Sequence, residues 1–344
     1  MKSLSLFFVL GASLLPQAAP LGFVTATSGT HHDADDPALW VNKANPSGSL
    51  IVGTDKQART GALYVWNLEG REISRFSDLD GPNNVDVQSD VLMGRTRVAL
   101  VVTVERYKGR LRAFRLHSDG ELQDVSGMMQ VFQGEPGEHG QPMGIALYQR
   151  PDNGRLYAYV SRKAGPTTGY IGMYELVWRG GSLDAEWVRN LGECTPGGEI
   201  EALLVDDQGG VLYAAEEKYG IRAYAASPDR PTTRIAEFGK TGFAGDREGM
   251  GLLVTGRGRF LLATDQIAGA SEIHVFKVGD IADRRPVEER RTVITAADDT
   301  DGMDAFWGAL GPKFPDGVVI MMDSTQRRFG MLDARKVLQA AGVY

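Results

Sequence analysis

Cysteine is almost missing: Cys194 is the single one in 344 residues, so no internal disulfide can form and stability has to come from packing or bound metal. Long apolar runs are also scarce. The one sustained stretch, Leu4 to Leu15, is too short to span a bilayer, and nothing after it approaches the uncharged length a spanning helix needs. Basic excess is lacking too: 37 Lys and Arg against 44 Asp and Glu leave a formal charge of -7. That balance excludes the basic surface that binds nucleic acid, and it is a poor field for any polyanion unless cations intervene. No GxSxG elbow occurs, and the glycines of GIRAY and GMGLLVTGRGR lack the strand and helix of a phosphate cradle, so they read as turns.

What is present begins with Lys2, the apolar run and the small-residue stretch QAAP, the order of a secretory signal peptide. Residues 1–20 are therefore set apart, and an exported protein, periplasmic or secreted, is expected over 21–344. No linker, low-complexity tract or charge run divides that remainder, which reads as one domain. Glycine, at 43 residues, exceeds the usual share of roughly 7% and suits many tight turns.

A repeat runs through the chain. Short strand patterns end on the anchors Trp66, Phe114, Tyr174, Tyr224, Phe276 and Leu332, which by subtraction step by 48, 60, 50, 52 and 56 residues. The period of about 50 is in the range of propeller blades. Upstream of each anchor lies a second strand ending on polar residues, and upstream again a third. The openings of that third set, Asp36, Asp86, Gly144, Glu201, Glu248 and Asp304, step by 50, 58, 57, 47 and 56, so the period recurs at an independent phase. The reading is an all-β chain, a six-bladed β-propeller with a central channel, four strands to a blade. DARKVLQAAG, near the C-terminus, reads as a short helix.

Residues at one phase of a propeller form a ring around its channel. At the inner-strand phase that ring gathers Asp35 and Asp36, Asn83, Asn84 and Asp86, Glu199 and Glu201, Asp246 and Glu248, and the run Asp298 to Asp304. So many carboxylates at one end repel one another unless cations neutralise them, and oxygen-rich sets suit calcium. Any one of these residues alone is an ordinary turn residue; the recurrence carries the argument. The ends of the next strands hold Lys56, Arg106, Arg162, Lys163 and Lys218, which as a set facing acids are natural donors to phosphate oxygens. His31 and His32 read as solvated loop residues and Cys194 as part of a turn.

These residues make the chain resemble the β-propeller phytases, calcium-dependent bacterial phosphatases of myo-inositol hexakisphosphate. The resemblance rests on DADDPALW, NNVDV, EIEALLVDD with LYAAEE, GDREGM, and DDTDGMD with LGPKFPDG, in order along the chain. It implies calcium ions in the channel and at its top, held by Asp36, Glu201, Glu217, Glu248 and Asp301 with Asp246 and Asp304 beside them. It implies phosphate contacts at Lys56, Arg106 and Lys163, to which the strand-end reading adds Arg162. Lys56, Arg106, Lys163 and Asp246 form the expected catalytic set. A calcium-bridged water would attack phosphorus directly, and an adjacent site would hold a neighbouring phosphate. The expected partner is a calcium–phytate complex, with no nucleic acid or membrane and a monomeric chain. Three positions depart from the family pattern: Gln57 and Gln88 stand for basic residues and Met143 for a tyrosine. Two alternatives stay open, a lactonase-like propeller hydrolase and a non-catalytic calcium-binding propeller.

Overall fold

A computed structural model describes residues 19–280 and 287–344; the signal peptide expected over 1–20 falls outside them except for its last two residues. Among the described residues the strands form six antiparallel sheets, each of four strands or five. The first blade runs Ala34–Trp40, Leu50–Asp55, Gly61–Asn67 and Glu72–Leu79, in sequence order from the channel outward. The inner strands of blades 2 to 6 are Val85–Met93, Pro142–Gln149, Ile200–Asp206, Met250–Thr255 and Met303–Trp307. Each inner strand touches the next, and the sixth touches the first, so the sheets close around a channel.

Packing explains why the second strands read as continuous apolar runs. Their two faces are both covered, as in LIVGTD and GVVIMMD, where every residue is buried. The apolar core is divided into layers between neighbouring blades. Leu63 and Val65 of blade 1 pack with Val101 and Phe114 of blade 2, and Phe329 of blade 6 packs with Tyr64 and Trp66 of blade 1. The six anchors all lie in third strands, each 3% exposed or less, and each burial contributes roughly 1.5–3 kcal/mol.

The expected helix is present at Ala334–Ala340, capped by the Asp333 side chain, which accepts from the Lys336 amide. The fourth strand of blade 6 comes from the other end of the chain. Thr25–Ala26 pairs with Arg328–Asp333, and the Phe23 ring sits where a side chain at Gly330 would be, 2.2 Å from a Cβ built there. The two ends of the described chain thus close one sheet together.

A candidate active site at the mouth of the channel

Six equivalent backbone hydrogen bonds define the mouth. The amides of Lys56, Arg106, Lys163, Glu217, Gln266 and Ser324 donate to the carbonyls of Asp33, Gly81, Gln141, Glu199, Asp246 and Asp298. Each donor is the first residue beyond the second strand of its blade, and each acceptor lies two or three residues before the ring where the inner strands begin. That ring consists of Asp35, Asn83, Met143, Glu201, Glu248 and Asp301, set by the inner-strand registers.

The donor positions divide the mouth by charge. Blades 1 to 3 contribute Lys56, Arg106 and Lys163, while blades 4 to 6 contribute Glu217, Gln266 and Ser324. The acidic half is dense. Carboxylate oxygens of Glu199, Glu201 and Glu217 lie within 4.8 Å of one another, as do those of Glu217, Asp246 and Glu248, so Glu217 joins two trios. Lys56 closes the ring on its other side, with its ammonium 2.7 Å from Asp35 and 2.8 Å from Asp301. Gln266 Nε2 donates to Asp301 Oδ1 at 2.6 Å, and Asn83 Nδ2 to Glu201 Oε1 at 2.7 Å. Lys163 Nζ is 2.5 Å from Glu199. Arg106 donates through Nε to Gln141 Oε1 at 3.2 Å and lies over the Tyr107 ring.

Burial sets the electrostatics. It pushes Glu201 and Asp301 up to about 8 and Glu217 to about 7, and neighbouring carboxylates push the same way. Glu248 is raised for the same reasons. Burial works against the Lys56 ammonium, but Asp35 and Asp301 outweigh it and hold the group well above the usual lysine range. The donor set fits a hard cation. Among the described residues, Glu199 Oε1 is buried without a hydrogen-bond partner beside Glu201 and Glu217, and Asp35 Oδ2 is likewise unpartnered. Carboxylates crowded in this way are stabilised by a cation of oxygen-seeking type.

The structure brings together Lys56, Arg106, Lys163, Glu201, Glu217, Asp246, Glu248 and Asp301. It places Asp36 and Asp304 deeper in the channel, lining a cavity of about 480 Å³ with Asp86. There they serve the neighbouring blade: Asp36 accepts from Val85 N, Asp86 from Leu147 N, and Asp304 from Leu39 N, at 3.0, 2.7 and 2.7 Å. At the mouth, blades 1 and 6 present Asp35 and Asp301 to Lys56, and blade 4 adds Glu199 to Glu201 and Glu217.

Arg162 also stands apart. It is 1% exposed, its guanidinium lies 3.9 Å over the Phe132 ring, and it donates to the carbonyls of Tyr170 and Gly169. Its equivalents in the other blades, Asp55, Glu105, Glu216, Asp265 and Asp323, are buried carboxylates that end the second strand. Asp55, for example, accepts from the amides of His32 and Asp33. Blade 3 reverses the charge, with Glu135 supplied by the preceding loop 3.7 Å from Arg162. Of the three departures, Met143 lies in the ring, Gln57 is exposed, and Gln88 faces the channel wall, donating to Asp207 at 2.9 Å. The His31 ring packs against Tyr64, and Arg75 bonds to it.

A mouth with cationic side chains on one half and clustered carboxylates on the other suits a phosphate-ester hydrolase, and the phytase family pattern matches residues 20–334. The chain belongs to the phytase family. Membership makes it a phosphoric monoester hydrolase of the phytase kind. A 3-phytase of Bacillus subtilis (strain 168) is 27% identical over 301 residues, covering 84% of this chain and 74% of that protein. Among solved structures, a Bacteroides uniformis protein proposed to be a 6-phosphogluconolactonase has a TM-score of 0.51 at 13% identity, covering 86% of this chain and 79% of that one. At that identity the likeness concerns the propeller fold alone.

Proposed function

We propose that this phytase is a calcium-dependent phosphomonoesterase that takes phytate, with calcium, and releases phosphate and lower inositol phosphates. One observation carries the reading: a single repeat position holds Lys56, Arg106 and Lys163 on three consecutive blades and turns acidic or neutral on the other three. A neutral ester has no use for the cationic half, and a calcium-only binding module has none either.

In this reading Glu199, Glu201, Glu217, Asp246, Glu248 and Asp301 hold calcium. Bound there, the metal supplies Lewis acidity toward phosphate oxygens and an acidified water as nucleophile. Lys56 and Lys163 act as point charges on the phosphate being cleaved and on its neighbour, and Arg106 offers the guanidinium N–H groups that Gln141 leaves free. Asn83 and Gln266 orient Glu201 and Asp301. The anionic crowding of a polyphosphorylated ring is thereby matched by donors in fixed positions, the preorganisation that stabilises charge in the transition state. The chain is proposed to act after export, as a monomer.

The discriminating experiment is a paired turnover assay in millimolar calcium. Phosphate release from phytate with no hydrolysis of a simple lactone is the expected result. Lactone turnover without phosphate release would move the chain to the lactonase reading.

A further inference from the structure

A second cluster of ligating side chains lies on the hairpin of blade 5, outside the acidic mouth. In blades 2 and 4 the carboxylate ending the second strand, Glu105 or Glu216, is answered by an arginine of the third strand, Arg112 or Arg222. Blade 5 places His274 at that register, opposite Ala263. Asp265 and Glu272 face each other directly across the same hairpin, an opposition of like charges that destabilises a sheet. His274 follows Glu272 by two residues, so strand alternation puts all three side chains on one face, and their ligand atoms lie within 4.8 Å of one another.

The histidine is oriented as a metal ligand. Its Nδ1 is 3.0 Å from Glu289 Oε1, the carboxylate partner that commonly fixes the tautomer of a ligating imidazole. With the proton on Nδ1, the lone pair of Nε2 points into the cluster. His274 is 1% exposed, and among the described residues Nε2 has no hydrogen-bond partner. It stands 3.5 Å from Asp265 Oδ2, about the separation of two ligands bound at roughly 2.0–2.2 Å to one tetrahedral zinc ion. Phe243 stacks on the imidazole at 3.7 Å and holds its plane. A mixed imidazole and carboxylate set favours zinc over calcium, which prefers oxygen alone.

We propose that Asp265, Glu272 and His274 form a zinc site, with water as the fourth ligand. Asp265 also accepts from the amides of Ala244 and Gly245, so a metal there braces the loop that leads to Asp246. The alternative is a second proton on His274, shared between Asp265 and Glu289, with no metal.

Equilibrium dialysis of the full chain against zinc chloride, in millimolar calcium to fill the mouth, separates the two. One zinc per chain is expected, lost in His274→Gln and weakened about 10–100-fold in Glu289→Gln. Cobalt(II) in its place should give the visible absorption of a tetrahedral site, absent in His274→Gln. Thermal melts check that both variants fold; if His274→Gln does not, Glu289→Gln decides. No zinc bound at micromolar free metal, or binding undiminished in the folded variants, would overturn the proposal.

Discussion

Lys56 carries two duties at once. Its ammonium bridges Asp35 and Asp301, and in the proposed reaction it also meets phosphate. Removing it leaves two buried carboxylates without their counter-ion, a loss that costs about 1–3 kcal/mol once its partial exposure is allowed for. Lys56→Ala should therefore melt lower in chelator, and calcium should recover part of the difference. Phosphate release should fall by roughly 10²–10³-fold, the usual loss for one transition-state donor. The carboxylates predict a pH effect. Their folded values, about 8 for Glu201 and Asp301 and about 7 for Glu217, lie above those of the unfolded chain, so the folded state holds more protons. Metal-free stability should be greatest in mild acid and decline as pH rises toward 8. Calcium should oppose that decline, because its ligands must be deprotonated. Melting curves from pH 5 to 8, with and without calcium, check the sign; a metal-free protein that gains stability over that range would refute it.

The strand ends show how one repeat position can be structural and its neighbour functional. Glu216, 1% exposed, accepts from Thr195 N and pairs with Arg222 at 2.6 Å, while the next residue, Glu217, joins the acidic trios. Glu216→Ala should cost about 1.5–3 kcal/mol in urea titrations, because Arg222 would lose its shortest charged partner and keep Glu237, at 3.3 Å, and the Glu193 carbonyl. Arg162 and Lys163 form the same kind of pair. Arg162→Met should lower stability by about 1–3 kcal/mol through its lost carbonyl contacts and leave the KM for phytate unchanged, and Lys163→Met should do the reverse. In sequence Arg162 and Lys163 look alike, because the strand end is legible only as a cluster and the alternation that turns adjacent residues to different sides is lost in the loop. Asp36 and Asp304, one and three residues past the ring members of their blades, are hard to tell from them in sequence for a related reason. A sharper signal lay in the acid–any–acid pattern Asp33–Asp35, Glu199–Glu201, Asp246–Glu248 and Asp299–Asp301, which sets the register that Asp36 and Asp304 obscure. The blade count and the anchors were legible because apolar periodicity survives variation in loop length.

At the scale of the whole molecule, the closure was not legible: a two-residue strand, Thr25–Ala26, has no period to read. It nonetheless ties the first blade's approach to the last sheet, through Val24 N to Met331 O and Thr27 N to Phe329 O. A chain beginning at Ser28 should lose about 2–5 kcal/mol from these bonds and the Phe23 contact and unfold faster, as stopped-flow dilution into denaturant would show. The ring also makes the mouth possible, because three cationic and three acidic or neutral blades face one another only when the sixth sheet meets the first. That opposition is the central claim: neither half acts alone. The most direct test is phosphate release from phytate by protein stripped with a chelator, then resupplied with calcium. The account predicts no release from the stripped protein and recovery on adding calcium; full release from metal-free protein would contradict it.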